Sequence, residues 1–118
     1  MPWCNKLRTI AGLAHALLFR DGALLAGFAV EARFPSICEW REMAEQGCLI
    51  GYGPSRVELW RRVGALVARI FGGTSPGDLP IERPVQFELA INMKTGKALG
   101  LTLAPSLLAR ADEVIDAP

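Results

Sequence analysis

The stretch that most limits what this chain can become lies between Pro54 and Gly72. Within it Leu59, Trp60, Val63, Leu66, Val67 and Ile70 recur at three- and four-residue steps, and Arg61, Arg62 and Arg69 fall elsewhere. That is the period of an α-helix with one strongly apolar face. Ser55 followed three residues later by Glu58 has capping-box spacing, in which each side chain satisfies a free backbone N–H of the first turn. Pro54 fixes the entry and Gly72-Gly73 supplies the stop. The pattern predicts a helix over residues 56–71, and any fold must provide cover for its apolar face.

On either side the pattern alternates between helix and strand. Residues 20–33 place Leu24, Leu25, Phe28 and Ala32 at helical spacing, which predicts an amphipathic helix ending near Phe34-Pro35, because proline disfavours helical dihedrals in the residue before it. Residues 36–40 form a short apolar run that reads as a buried strand, and helix followed by strand suggests a parallel unit. One or two helical turns over 41–46 end at Gly47, and residues 48–52 resume an extended path. Residues 74–84 hold three prolines and a glycine and read as a connector. In residues 85–92 Phe87, Leu89 and Ile91 alternate with Gln86, Glu88 and Asn92, the period of a strand with one buried face. Asn92 then caps a short helix ending at Gly100, and a last helix starts at Pro105-Ser106, carrying Leu107, Leu108, Ala111 and Val114.

A chain of 118 residues has the size of one domain, and 51% apolar with 21% charged residues is ordinary globular usage. A net charge of +1 with scattered basic residues leaves no electrostatic footprint for nucleic acid. Cys4, Cys38 and Cys48 lack the spacing and the histidines of a zinc site, and an odd count argues for free thiols in a reducing compartment. Lys6 and Arg8 ahead of the apolar stretch 9–19 outline an export leader faintly, but Gly12 and His15 interrupt it and Arg20-Asp21 follow. On these grounds the chain reads as soluble and cytoplasmic.

Chemistry has few footholds. His15 is the single histidine, it sits in an apolar stretch, and no nucleophile elbow appears, so no catalytic residue and no metal site is assigned. Glu39, Glu42, Glu45 and Glu58 fit solvated helix faces at least as well as an acid/base pair. Gly51 and Gly53 match no phosphate loop and mark a tight backbone path. Trp40, beside Glu39 and Arg41, ends one predicted strand, and Tyr52 ends the next. Ligands of open α/β sheets bind beyond the carboxyl ends of strands, so Trp40, Tyr52, Glu39 and Arg41 are the candidate ligand-binding residues, expected together in one groove at a sheet edge. The competing reading is that both rings fill core, which is also the reading for Trp60.

Read in order, EWRE at 39–42, GYGPS at 51–55, the helical run VELWRRVGALVARIFGG, DLPIERP at 78–84 and INMKTGKALGL at 91–101 resemble the C-terminal part of solute-binding proteins of ABC transporters, the sugar or tryptophan/tyrosine type. The likeness runs from about residue 20 to 115, so residues 1–19 stand as a poorly matching N-terminal segment and 20–118 as a single domain. It implies an α/β fold, part of a type I periplasmic-binding-protein lobe with a mostly parallel sheet flanked by helices. In that fold two lobes joined by three crossings close over a ligand. Residues 49–55 would be a crossing and helix 56–71 would pack on the other lobe. The resemblance implies a truncated, non-enzymatic binder of a small organic solute without cofactor, which meets an ABC permease only if the missing lobe is supplied. The alternative is a self-associating interaction module. In either case the uncovered helix 56–71 predicts a homodimer.

Overall fold

In the computed structural model, residues 9–12 and 16–116 are described; His15 and Cys4 lie outside them. A five-stranded sheet runs in the order β1 (Ile10–Gly12), β2 (Ser36–Cys38), β3 (Ile50–Pro54), β4 (Phe87–Asn92), β5 (Glu113–Ile115). Three of its four pairings are parallel, and β3–β4 is antiparallel. The mostly parallel α/β lobe expected from the sequence is what forms. Two short strands were not legible: β1 falls in the segment set aside as poorly matching, and β5 carries Val114, which the sequence reading placed on the last helix. Three-residue strands are too brief to show alternation.

Two helices, α1 (Ala16–Arg20) and α2 (Gly22–Glu31), connect β1 to β2. The helix expected over 20–33 is present, but its inward face is reversed. Gly22, Ala26 and Ala29 are buried, whereas Leu24, Leu25 and Phe28 are exposed. The small residues win because the neighbour comes too close for larger ones: a side chain at Gly22 would strike Gln46. A helix that is apolar on its outer face as well is one built to be covered on more than one side.

Between β2 and β3 lies α3 (Arg41–Glu45), ended at Gly47, whose φ of 118° favours glycine. Met43 and Ala44 are buried with Cys48, Leu49, Ala90 and Ile91, and these form the core. The buried Ser36, Asn92 and Thr95 side chains are hydrogen-bonded. Asn92 caps α5 (Met93–Ala98) by accepting from the Thr95 N–H at 3.0 Å, and its amide donates to the Ala44 carbonyl at 2.8 Å. Ser36 Oγ accepts from the Leu49 N–H at 3.1 Å, and Thr95 Oγ1 donates to the Gly47 carbonyl at 2.8 Å. A short α6 (Pro105–Leu108) completes the crossover to β5.

The free-thiol expectation for Cys38 and Cys48 is overturned, because the two form a disulfide. An odd total excludes only a fully paired set. The α3 crossover folds the intervening residues back, bringing the two Cα atoms to 6.4 Å, within bridging reach.

The longest helix, α4 (Arg56–Phe71), has the predicted bounds. Ser55 Oγ accepts from the Glu58 N–H at 3.5 Å. The capping box is only half realised, since Glu58 turns to Arg61 and Arg62 at 3.1 and 3.2 Å and the Ser55 N–H donates to the Gln86 carbonyl. No residue of α4 is buried, and Trp60, read as core, is 68% exposed.

Two stability measurements check this description. Ser55→Ala should lose roughly 1 kcal/mol in urea denaturation, since an N–H of the first turn loses its acceptor; a variant unfolding with the parent would remove the cap. The non-reduced chain should resist cysteine alkylation at 38 and 48, and the paired Cys38→Ser, Cys48→Ser variant should lose roughly 2–3 kcal/mol, as expected for opening a short cross-linked loop.

Candidate functional site

The site is built by a close backbone crossing. Gly51 and Gly53 alternate with Tyr52 along β3, and residues 39–41 run directly over the glycine side of the strand. A Cβ at Gly51 would come within 2.9 Å of the Arg41 Cα, and one at Gly53 would overlap the Glu39 carbonyl. These glycines make room for another segment, and that contact places Glu39 and Trp40 just past the carboxyl end of β2. The end of β3, with Ser55 and Arg56, lies next to them.

At that edge the Arg56 guanidinium lies over the Phe19 ring at 4.3 Å and faces the Trp40 ring at 5.8 Å. Its Nη1 is 3.6 Å from Glu42 Oε1. Arg56 and Glu42 are both about one-third exposed, 33% and 29%, so the pair is open to a visitor yet partly shielded from water. The second Glu42 oxygen, Oε2, is buried and meets no hydrogen-bond donor among the described residues. Two rings, a cation close to both and a part-exposed carboxylate make a surface able to stack on a flat group and to pair with both signs of charge.

The four residues singled out from sequence separate. Trp40 joins this cluster, half-buried. Glu39 is half-buried and contributes its backbone to the crossing over Gly53. Arg41 turns the other way, onto Glu113 at 2.7 Å, with Glu45 at 3.7 Å and Glu88 at 4.0 Å, and ties α3 to β4 and β5. Tyr52 does not share a groove with Trp40. It sits mid-strand in the central strand rather than at a sheet edge, on the face opposite the crossing, 55% exposed and stacked on Phe87 at 5.9 Å. The alternation that turns the glycines toward Trp40 turns Tyr52 away from it.

Arg56 and Phe19 escaped the sequence reading, and Glu42, assigned from sequence to a solvated helix face, is instead paired with Arg56 and less than one-third exposed. One signal existed for Arg56. A cation in the first turn of a helix opposes the positive end of the macrodipole, and a residue that breaks a local rule is a pointer to function. A larger concavity of about 720 Å³, between α2, the end of α3 and α5, lies at the opposite end of the parallel strands and contains none of these residues. No group of three or more His, Cys, Asp or Glu fit to hold a metal occurs among the described residues.

The family of ABC transporter substrate binding proteins matches residues 20–115. The fold resembles a conserved domain protein of Vibrio cholerae O1 biovar El Tor with a TM-score of 0.85 at 24% identity, over 90% of this chain and 36% of that one. It also resembles an ABC domain from Streptococcus pneumoniae solved in complex with L-Trp, TM-score 0.84 at 21% identity, over 97% of this chain and 39% of that one. The ligand-free, open CD0873 of Clostridium difficile, a substrate binding protein with adhesive properties, gives 0.60 at 20% identity, over 92% of this chain and 36% of that one. No curated protein matches. The chain thus spans well under half the length of these solved structures.

Gly53→Ala tests the crossing that builds the site. It should destabilise by about 3 kcal/mol, the upper range for overpacking, because the obstacle is backbone. A melting temperature equal to the parent's would remove the crossing.

Proposed function

The chain belongs to the ABC transporter substrate binding protein family, and on that footing we propose that it supplies one wall of a binding site for a small zwitterionic solute with a flat side group, of which an aromatic amino acid is the type. The observation that carries this is the Phe19–Arg56–Trp40 stack with Glu42 beside it, at the carboxyl ends of β2 and β3. Arg56 takes the solute carboxylate, the part-exposed Glu42 carboxylate takes its ammonium group, and the Trp40 ring takes the flat group. The L-Trp held by the Streptococcus relative supports the same solute class. The role is binding for uptake rather than catalysis, and delivery to a permease belongs to an assembly in which a second lobe closes the cleft. The Cys38–Cys48 disulfide favours work in an oxidising compartment rather than the cytoplasm.

Titration of the 118-residue chain with L-tryptophan, L-tyrosine, glucose and uridine, followed by thermal shift, tests this reading. A single wall binds weakly, with Kd of about 1 mM, so about 10 mM L-tryptophan should stabilise by roughly 1.4 kcal/mol. Arg56→Ala should abolish the shift while Arg69→Ala keeps it. Shifts from glucose alone, or an Arg56→Ala protein that responds like the parent, would sink the assignment.

A further inference from the structure

The bridge between Cys38 and Cys48 closes around the segment that carries the binding edge. Cys38 is the last residue of β2, and Glu39, Trp40 and Glu42 follow within four positions. The far half of the segment is fastened without sulfur. The Ala44 carbonyl accepts from the Asn92 amide at 2.8 Å, the Gly47 carbonyl accepts from Thr95 Oγ1 at 2.8 Å, and the Leu49 N–H donates to Ser36 Oγ at 3.1 Å. The near half has fewer ties. Arg41 is held by Glu113 at 2.7 Å, but the Trp40 ring and the Glu42 carboxylate make no hydrogen bond among the described residues and have the Arg56 guanidinium as their partner. The backbone that bears them therefore sets their positions, and the bridge anchors that backbone where it leaves the sheet.

The two sulfurs are placed unequally. Cys48 is 1% exposed and Cys38 is half-buried, so a thiolate from outside reaches Cys38 Sγ first. Cys48 Sγ lies 3.5 Å from the Ile50 carbonyl oxygen. A bridged sulfur has no hydrogen to give, so this acceptor serves Cys48 only as a free thiol.

We propose that the Cys38–Cys48 bridge is a redox latch on the solute-binding edge, opened by a dithiol reductant. One thiolate of the reductant attacks Cys38 Sγ to form a mixed disulfide. The bond between the two cysteine sulfurs breaks with its electron pair on Cys48, which takes up a proton and donates the resulting S–H to the Ile50 carbonyl. The second thiol of the reductant then displaces Cys38, which is protonated in turn, and the reductant leaves as a disulfide. Two electrons pass to the lobe, and the two protons lost by the dithiol end on its cysteines. Residues 39–42 lose their anchor, while the bonds at Ala44, Gly47 and Leu49 keep the far half in place. Release of the segment stands on the bridge alone; its effect on a ligand rests on the solute reading above.

The test uses the isotope-labelled 118-residue chain carrying Cys4→Ser, oxidised or in excess dithiothreitol. On reduction the backbone order parameters of residues 39–42 should fall from about 0.85 to below about 0.6, while those of β4 stay at about 0.85. The Kd for L-tryptophan should rise about tenfold, because the ligand must then order Trp40 and Glu42 itself. Reoxidation in air should restore both values. The paired Cys38→Ser, Cys48→Ser variant should match the reduced chain and ignore dithiothreitol. Unchanged order at residues 39–42 would overturn the latch. So would order lost across β4 as well, since the bridge would then hold the fold rather than the edge, or an L-tryptophan Kd equal in the two forms. An oxidised chain that binds no L-tryptophan yet releases residues 39–42 on reduction would sink the solute reading and leave the latch standing.

Discussion

The passage of residues 39–41 across the bare backbone of Gly51 and Gly53 is the contact on which the remainder of the lobe depends. Helices usually sit about 10 Å from a sheet because side chains intervene. Here the side chains on one layer are gone, so the start of α3 is pressed onto β3 and its later residues, Met43 and Ala44, reach the core. The same descent sends the Arg41 side chain across to Glu88 and Glu113 on the next two strands. One short segment thereby fixes the register of three strands against one helix, and the polar bonds of Asn92 and Ser36 close the space around it.

What that contact builds at its outer end is an edge with unspent chemistry. Most polar groups inside the lobe are matched to one another, as a folded interior requires. The Glu42 oxygen near Arg56 is an exception, and it stands where the parallel strands end rather than in the core. The contacts of Arg56 with the two rings are themselves favourable, so the cluster holds together while leaving Arg56 one-third exposed. The wider cleft by α2 has volume, and of its polar groups Asn92 and Thr95 are engaged, while Gln46 Oε1 meets no hydrogen-bond donor among the described residues.

The parts of the fold visible in the sequence are those whose pattern repeats. The period of 56–71, the alternation through Phe87, Leu89 and Ile91, and the caps at Ser55 and Asn92 each involve enough residues, or a specific enough bond, to survive translation into three dimensions. What failed to show depends on distant partners. The inward face of α2 was read from its largest residues, yet Gly22, Ala26 and Ala29 decide it because Met43 and Gln46 stand so close. Cys38 and Cys48 needed the α3 turn before they could be neighbours. Of the candidate site, Trp40 was legible from its place after a strand. Its companions were not, because Phe19 lies twenty-one residues before it and Arg56 sixteen after it, and only the sheet brings the three together.

The antiparallel pairing of β3 with β4 has a consequence for how the chain is assembled. Pro54 faces Phe87, and the Ser55 N–H already bonds to the Gln86 carbonyl, so the chain leaves and re-enters the sheet at almost the same point. Everything in between, α4 and the proline-rich connector, is an excursion with a closed neck. Two residues of turn would join β3 to β4 as an ordinary hairpin. The sheet therefore does not need the excursion to know its register, and beyond Arg56, which packs against Phe19, Trp40 and Glu42, the excursion can change length without disturbing the β3–β4 pairing. In mechanical terms the molecule is two parts joined at a neck: an edge held under tight backbone constraint, and an arm that meets it through Arg56 at its root.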